Sequence, residues 1–582
     1  MMELIMLKIA MVALQLVQIA LHLFTRMGWL SAFFVLVHDL RPEKLRTRKW
    51  FWIMGMLSFT APALYFATNW LVEFYGFRGS PIPPHEAAIW IGLWVGGLIS
   101  AWGWLRYASP QMNTVLVRFK RGTTLERNTK TDVRDIDKYF TKLGGFFDPV
   151  KFINLKRGVF VGLGEDKKPC YIQFPTDKPA PHVQVVGTTG AGKGIALALM
   201  ASQFLERGEA VFFCDAKDDE WSPHVLYAAA QRTGKPYYFI NLNSPNGPQL
   251  NPFNGATKEH IFELFQAGLS LTDRGDASDF YGIADRREAA KAAAWMTKNN
   301  ANTAQVYSAI VDTMAGGEKF EGRLRELAET PSINAIGGQG VDLAKVILEG
   351  GCVYVVGSMR NDIVKTIQRI LLVRLMQLAE QRDRIDGYLR PICVVLPEMK
   401  YHLSRPSLEG LGACRDKGVH LILDHQALGD LRDCPKDINP DAVVDAVVEN
   451  CKVKIVYRVQ SPDTAEWMAA MSASIQVDDE VRRVKRNAAQ AEIVDPERNI
   501  RQAERFFVDT NMLLKLPDNV GVLYGQGLAK FVTIRHLPTQ KSREAVRIQV
   551  VKGTKPFAVE DAIDVPDDKS DSASPAVAAI DF

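Results

Sequence analysis

The chain contains no C-x-x-C pair, and its seven cysteines (170, 214, 352, 393, 414, 434 and 451) are scattered without neighbouring histidines. This argues against a zinc site or a disulfide framework and reads as reduced thiols. Charge of either sign is also scarce in net terms. With 70 Lys and Arg against 66 Asp and Glu, the formal balance is only +4 over 582 residues, so no global polycation steers the chain to nucleic acid. No small-residue cleavage site follows the apolar N-terminus, which argues against a cleaved signal peptide. Charge is absent altogether from Ala87 to Leu105, and the run Trp50 to Phe74 carries only Glu73 at its far end.

Both of those runs are long enough to cross the hydrocarbon core of a bilayer. Tryptophans 50, 70, 90, 102 and 104 sit near their ends, where amphipathic rings favour the headgroup level. The turn between them, Tyr75 to Glu86, is nearly neutral. Arg41, Lys44, Arg46, Arg48 and Lys49 precede the pair, and Arg106, Arg118, Lys120 and Arg121 follow it. The positive-inside bias makes the turn external and the bulk of the chain cytoplasmic, a multi-pass arrangement. Residues 4–24 are interrupted by Lys8, Gln15, Gln18 and His22, so they read as a third span or as an amphipathic helix on the membrane surface.

What is abundant further on is a strand-and-helix rhythm. Residues 187–194 read GTTGAGKG, between the apolar run 182–186 and the helix-like run 195–200. A strand, a Gly-rich turn and a helix start are the context in which G-x-x-x-x-G-K binds nucleotide phosphates. Gly187, Thr188, Thr189, Gly190, Ala191 and Gly192 form the turn that aims backbone N–H groups at a polyphosphate, and Lys193 reaches the terminal phosphates. Gly194 stands where a Ser or Thr hydroxyl would face Mg²⁺.

Short apolar runs at 210–215, 237–242, 352–358, 391–396, 419–424 and 453–458 read as strands buried on both faces of a parallel sheet. The fold class expected is therefore α/β, a P-loop NTPase with a parallel sheet and N-terminal transmembrane helices. The chain is too long for one core, and the expected organisation has six parts. A membrane region covers 1–107, and a linker with a small β-hairpin covers 108–180. The nucleotide-binding domain occupies 181–255 and 346–552, with an all-α insertion at 256–345. An acidic, Ala/Ser/Pro-rich tail follows at 553–582, whose composition cannot bury enough to order itself. Arg374, Arg382 and Arg384 cluster along one helix and read as a solvated face.

A P-loop ATPase needs an acid at the end of a neighbouring strand to hold Mg²⁺ and orient the attacking water. Two strands end suitably: Val394-Val-Leu-Pro-Glu398, with Pro397 where an Asp is expected, and the strand ending in Asp215. No metal ligand is assigned, although Glu398 or Asp215 can act on Mg²⁺ through water.

In this order, the membrane hairpin, phosphate loop, helical insertion and later strands resemble the type IV coupling proteins of conjugation and type IV secretion. These are the TraD/TraG-like, FtsK/HerA-related ATPases. The likeness rests on GTTGAGKG, Asp215-Ala-Lys-Asp-Asp219, Leu250-Asn-Pro-Phe-Asn254, Leu396-Pro-Glu398 with Arg405-Pro-Ser-Leu-Glu409 and Cys414-Arg415, and Asp424-His-Gln-Ala-Leu428.

The resemblance implies ATP and Mg²⁺ as cofactors, Glu398 as the catalytic carboxylate and Gln426 as the γ-phosphate sensor. It implies Arg415 as an arginine finger acting on an adjacent subunit of a hexameric homo-oligomer. It further implies an inner-membrane ATPase that passes relaxase–DNA or protein effectors, with single-stranded DNA as one cargo, to a type IV secretion channel. Two alternatives stand beside it: a membrane receptor or scaffold that binds nucleotide but hydrolyses it weakly or not at all, and an FtsK-like chromosome DNA translocase.

Overall fold

A computed structural model describes residues 2–37, 45–76, 78, 84–112, 115, 132–245, 249–272, 278–336, 340–383, 385, 387–487 and 489–547. Arg41, Lys44, Arg118, Lys120, Arg121, Arg384 and the acidic segment 553–582 lie outside the described residues. The chain divides into two compact units: residues 1–128 with 476–504, and residues 129–475 with those from 505 onward.

The first unit is built on four helices, α1 (Met2–Arg26), α2 (Gly28–Val37), α3 (Leu45–Phe74) and α4 (Pro84–Gly103). α4 continues through a π-helical turn, Trp104–Ala108, so that the whole helix runs from His85 to Met112. Two helices among the described residues are long and apolar enough to cross a membrane: Met2–Arg26 and His85–Met112. The expected span at 50–74 is helical, within α3. α1, which covers the run 4–24, exposes Ile5, Ile9, Val12, Leu16 and Ile19.

α2 and α4 approach closely at Gly97, where any Cβ would strike the Trp29 carbonyl, the small-residue device of apolar helix pairs. Glu86, in the first turn of α4, pairs with Arg26 at 2.9 Å, and an acid there also suits the helix dipole. The same unit holds a long two-stranded hairpin, β10 (Ser474–Arg486) with β11 (Glu492–Phe506), which the sequence did not announce. At its turn, Asn487 Nδ2 donates to the Leu105 carbonyl at 2.5 Å and Arg106 donates to the Gln490 carbonyl at 3.3 Å.

The second unit is organised by an 11-stranded sheet. In chain order its strands are β1 (Val159–Gly164), β2 (Pro169–Ile172), β3 (Val183–Val186), β4 (Ala210–Asp215), β5 (Tyr237–Asn241), β6 (Gly351–Val356), β7 (Ile392–Leu396), β8 (Val419–His425), β9 (Val453–Val456), β12 (Val520–Tyr524) and β13 (Lys530–Thr533). Their spatial order is β2-β1-β13-β12-β9-β3-β8-β7-β4-β6-β5. From β9 to β5 the pairing is parallel; from β9 through β12, β13 and β1 to β2 it is antiparallel.

The parallel strands read as continuous apolar runs because each buries both faces. Val394 and Leu396 enter one core with Phe212, Leu421 and Leu423, while Cys393 and Val395 enter the other with Phe213 and Ile422. Between β5 and β6 lie helices Lys258–Leu269, Ser278–Asn299, Thr303–Ile310, Glu318–Ala328 and Leu343–Glu349. They join the first of these cores, where Phe265 and Phe320 meet edge to face at 5.2 Å.

The solvated arginine face is corrected here. Arg374 is buried and donates to the Asn254 carbonyl at 2.8 Å, while Arg382 donates to the carbonyls of Arg390 and Lys417 at 2.8 and 2.6 Å. These guanidinium groups donate to partly buried loop carbonyls. They are joints of the fold.

Candidate functional site

Four neighbouring strands deliver the site at their C-terminal ends. β3 runs into the phosphate loop and then into helix Lys193–Glu206. Gly187 has φ +154° and lies against Tyr457, whose Cβ is 2.8 Å from where another Cβ would stand. Gly192, at φ +119°, faces Asn519, whose Cα is 3.1 Å from where a Cβ would stand. Both positions need glycine, for conformation and for space.

The loop holds itself open by few bonds: Thr188 N–H donates to the Arg458 carbonyl and Ala191 N–H to Thr188. Among the described residues, the N–H groups of Thr189, Gly190 and Gly192 have no partner, and all three residues line an open cleft of about 480 Å³. Unpaired amides at a helix N-terminus are an anion cradle, so the residues present fit a nucleotide polyphosphate.

Lys193 is buried. Its Nζ donates to the carbonyls of Gly187 at 2.7 Å and His425 at 3.4 Å and lies 3.5 Å from Asp424 Oδ2. Next across the sheet, β8 contributes Asp424 and then Gln426, and β7 contributes Pro397 and Glu398. Glu398 is held in the left-handed region at φ +54°, and its N–H donates to Asp424 Oδ1. Its own carboxylate accepts from Gln426 Nε2 at 3.0 Å and pairs with Lys217. Burial works to raise the Glu398 pKa, but the hydrogen bonds from Lys217 and Gln426 and the charges of Lys217 and Lys193 outweigh it. The group is held below the ordinary glutamate range and stays ionised.

Asp215, at the end of β4, lines the same cleft but is committed to its own loop. Its Oδ1 accepts from Lys217 N–H at 2.9 Å; its Oδ2 accepts from Asp219 N–H and the Tyr354 hydroxyl, both at 2.6 Å. Burial pushes its pKa up against those bonds. Asp424 is likewise pushed up by burial, opposed by the charge of Lys193.

The tertiary structure thus lines one cleft with loop residues 188–190 and 192–194, Asp215, Lys217 and Asp424, while Glu398 and Gln426 lie behind that lining, tied to it through Lys217 and Asp424. Arg415 is not among them. It belongs to helix Arg405–Asp416, donates to the Ala180 carbonyl at 3.2 Å, and lines a separate hollow with Lys178 and Lys452 at the opposite ends of the strands. Gly194 faces open space, with nothing within 4 Å of an added Cβ. Two charged residues escaped the sequence reading: Lys217, which clamps Glu398, and Asp424. Asp424 carried a usable signal, since it nearly ends an apolar strand as Asp215 ends β4. No group of three or more metal-ligating side chains occurs among the described residues.

No protein-family model matches the chain. In sequence it is 27% identical over 330 residues to mobilization protein A of Escherichia coli; the match spans 56% of this chain and 60% of that protein's length. Among solved structures it is similar to the bacterial conjugative coupling protein TrwBdeltaN70 in its unbound form. The TM-score is 0.51, identity is 14%, and coverage is 69% of this chain and 93% of the other, a likeness of fold. In fold the chain is thus similar to a conjugative coupling protein, and over part of its sequence to a mobilization protein.

Proposed function

We propose that this protein is a membrane-anchored coupling ATPase that recruits relaxase–DNA or protein substrates to a type IV secretion or conjugation channel and drives their passage with ATP. One observation carries this reading. Glu398, ionised and buried, is held by Gln426 and Lys217 within reach of the Lys193 charge, and its N–H binds Asp424, which lines the cleft of the unpaired amides. A water-activating carboxylate next to a polyphosphate cradle is the minimum apparatus for phosphoanhydride hydrolysis.

Thr189, Gly190 and Gly192 N–H and Lys193 hold the phosphates. Trp221, Ile195 and Leu537 give the cleft an apolar wall for the base. Mg²⁺, when bound, would neutralise charge on the phosphates. Glu398 takes a proton from the attacking water, and Gln426, bonded to Glu398, links that event to the end of β8. Lys217 must release Glu398 for this to happen, which makes the ion pair a resting-state latch.

Arg415 acts, on this reading, across the interface of a hexameric ring, since it stands away from its own cleft. The N-terminal helices anchor the chain in the bacterial inner membrane, with the nucleotide unit in the cytoplasm. The mobilisation and conjugative coupling roles named for the two similar proteins support the choice of cargo pathway.

A second reading is favoured by Pro397 and Gly194, neither of which offers a metal ligand: a receptor that binds nucleotide without turnover. Mg²⁺-dependent ATP hydrolysis by the full chain in nanodiscs separates the two. Lys193→Ala and Glu398→Gln each lower turnover by at least about a hundredfold if the motor reading holds. Turnover that neither substitution changes overturns it.

A further inference from the structure

Along the edge of the sheet, one row of residues crosses the cleft. Parallel pairing sets Phe213 opposite Val395, Leu396 opposite Leu423, and Val185 opposite Asp424. Continuing those registers by one or two residues puts Asp215, Pro397 and Asp424 in the same row, on β4, β7 and β8. All three line the cleft. The centre of the row, where the strand end calls for an acid, is the residue that has none. An acid flanks it on either side.

These two acids are not equivalent. Both oxygens of Asp215 are occupied by the amides of Lys217 and Asp219 and by the Tyr354 hydroxyl, and that carboxylate is the knot of the 215–219 loop. Asp424 uses Oδ1 for the Glu398 amide, whereas its Oδ2 is 3.5 Å from the Lys193 ammonium, too far for a good hydrogen bond. It is 3% exposed, so its charge needs a cationic neighbour at all times. Lys193 is that neighbour here, but the phosphate loop assigns the same ammonium to the polyphosphate.

We propose that Asp424 is the metal-facing carboxylate of this site, standing one strand over from Pro397 and directed at the divalent cation of a bound Mg²⁺–nucleotide. The inference rests on the nucleotide-binding reading above. As Lys193 turns to the phosphates, a divalent cation replaces it as the partner of Oδ2, so the buried carboxylate exchanges one cation for another. Oδ1 keeps the Glu398 amide, which holds the water-activating group in register with the metal. The loss of a carboxylate at 397 and the gain of one at 424 are then a single change, moved toward the phosphate loop by one strand spacing, about 4.8 Å.

The test measures mant-ADP binding to the full chain in nanodiscs, with Mg²⁺ and with EDTA, for wild type, Asp424→Asn and Pro397→Asp/Asp424→Asn. Asparagine retains an oxygen for the Glu398 amide but releases Lys193 from its carboxylate, so Asp424→Asn is expected to bind in EDTA at least as tightly as wild type. It is expected to lose at least about tenfold of the tightening that Mg²⁺ brings. The double variant, with its acid moved back to 397, recovers that tightening.

Full Mg²⁺ tightening in Asp424→Asn overturns the inference, as does a wild type that binds mant-ADP equally with and without Mg²⁺. If Asp424→Asn fails to bind even in EDTA, the double variant decides. Recovered Mg²⁺-dependent binding supports the relocated acid, and none overturns it. Wild-type protein that binds no mant-ADP at all removes the nucleotide reading itself, a distinguishable result.

Discussion

Gly194 is the first helical residue after Lys193 and the point where the phosphate loop lacks its hydroxyl. An added side chain there meets open space, and the backbone is ordinary helix, so Gly194→Ser is sterically free. Removing a helical glycine stabilises by about 0.5 kcal/mol, and the new hydroxyl points a ligand toward the metal side of the cleft. Gly194→Ser is expected to fold normally and bind mant-ADP more tightly with Mg²⁺ while its affinity in EDTA is unchanged. Titration under both conditions checks this, and equal affinities with and without Mg²⁺ refute it. At this scale the phosphate loop was legible, since its glycines, lysine and flanks are contiguous in sequence. Asp424 was not, because its partners Lys193 and Glu398 are distant in sequence and adjacent only through the sheet. Arg374 misled for the same reason: its charge suggested solvent, whereas the Asn254 carbonyl it satisfies is brought to it by the fold.

Among elements, the loop that follows β4 is the most constrained. Asp215 binds two of its amides, and the Tyr354 hydroxyl, delivered from β6, fixes the same carboxylate. Lys217, the clamp on Glu398, rides on this loop. Tyr354→Phe leaves a buried carboxylate short of one donor, at a cost of about 1–3 kcal/mol. It is expected to lower the unfolding midpoint and loosen Lys217, with faster amide exchange over residues 216–219. Unchanged exchange there refutes the link between the hydroxyl and the loop. Elements were read well where one local pattern sufficed: each short apolar run became a strand because both faces are buried. The hairpin β10–β11 was missed, since its charged residues carry no sustained alternation and its pairing is closed by a turn with neither Asn-Gly nor Asp-Gly.

Across the whole molecule, buried histidines couple stability to pH. His182 is closed in by Leu411, whose carbonyl accepts from Nε2 at 2.8 Å, and by the Leu421 amide, which donates to Nδ1 at 3.0 Å. Burial holds His182 and His402 at about 4, below the usual 6.5, so both are neutral in the fold. Between those values the unfolded chain binds protons that the folded chain does not, and stability therefore falls as pH drops from about 6.5 toward 4. The slope reaches about 1.4 kcal/mol per pH unit for each histidine. Urea unfolding of the full chain at pH 7, 6 and 5 is expected to show this decline, and His182→Gln to reduce its steepness; a flat profile refutes it. The α/β class, the nucleotide loop and the apolar N-terminal helices were all written in short-range patterns of residue type, which need only neighbours a few positions apart to be read. Strand order was not so written. β8 follows β3 and β7 in the chain yet lies between them in the sheet, and only that insertion sets Asp424 beside Lys193 and Glu398. A carboxylate's role depends on the charges within a few ångströms of it, and those distances exist only once the chain has folded.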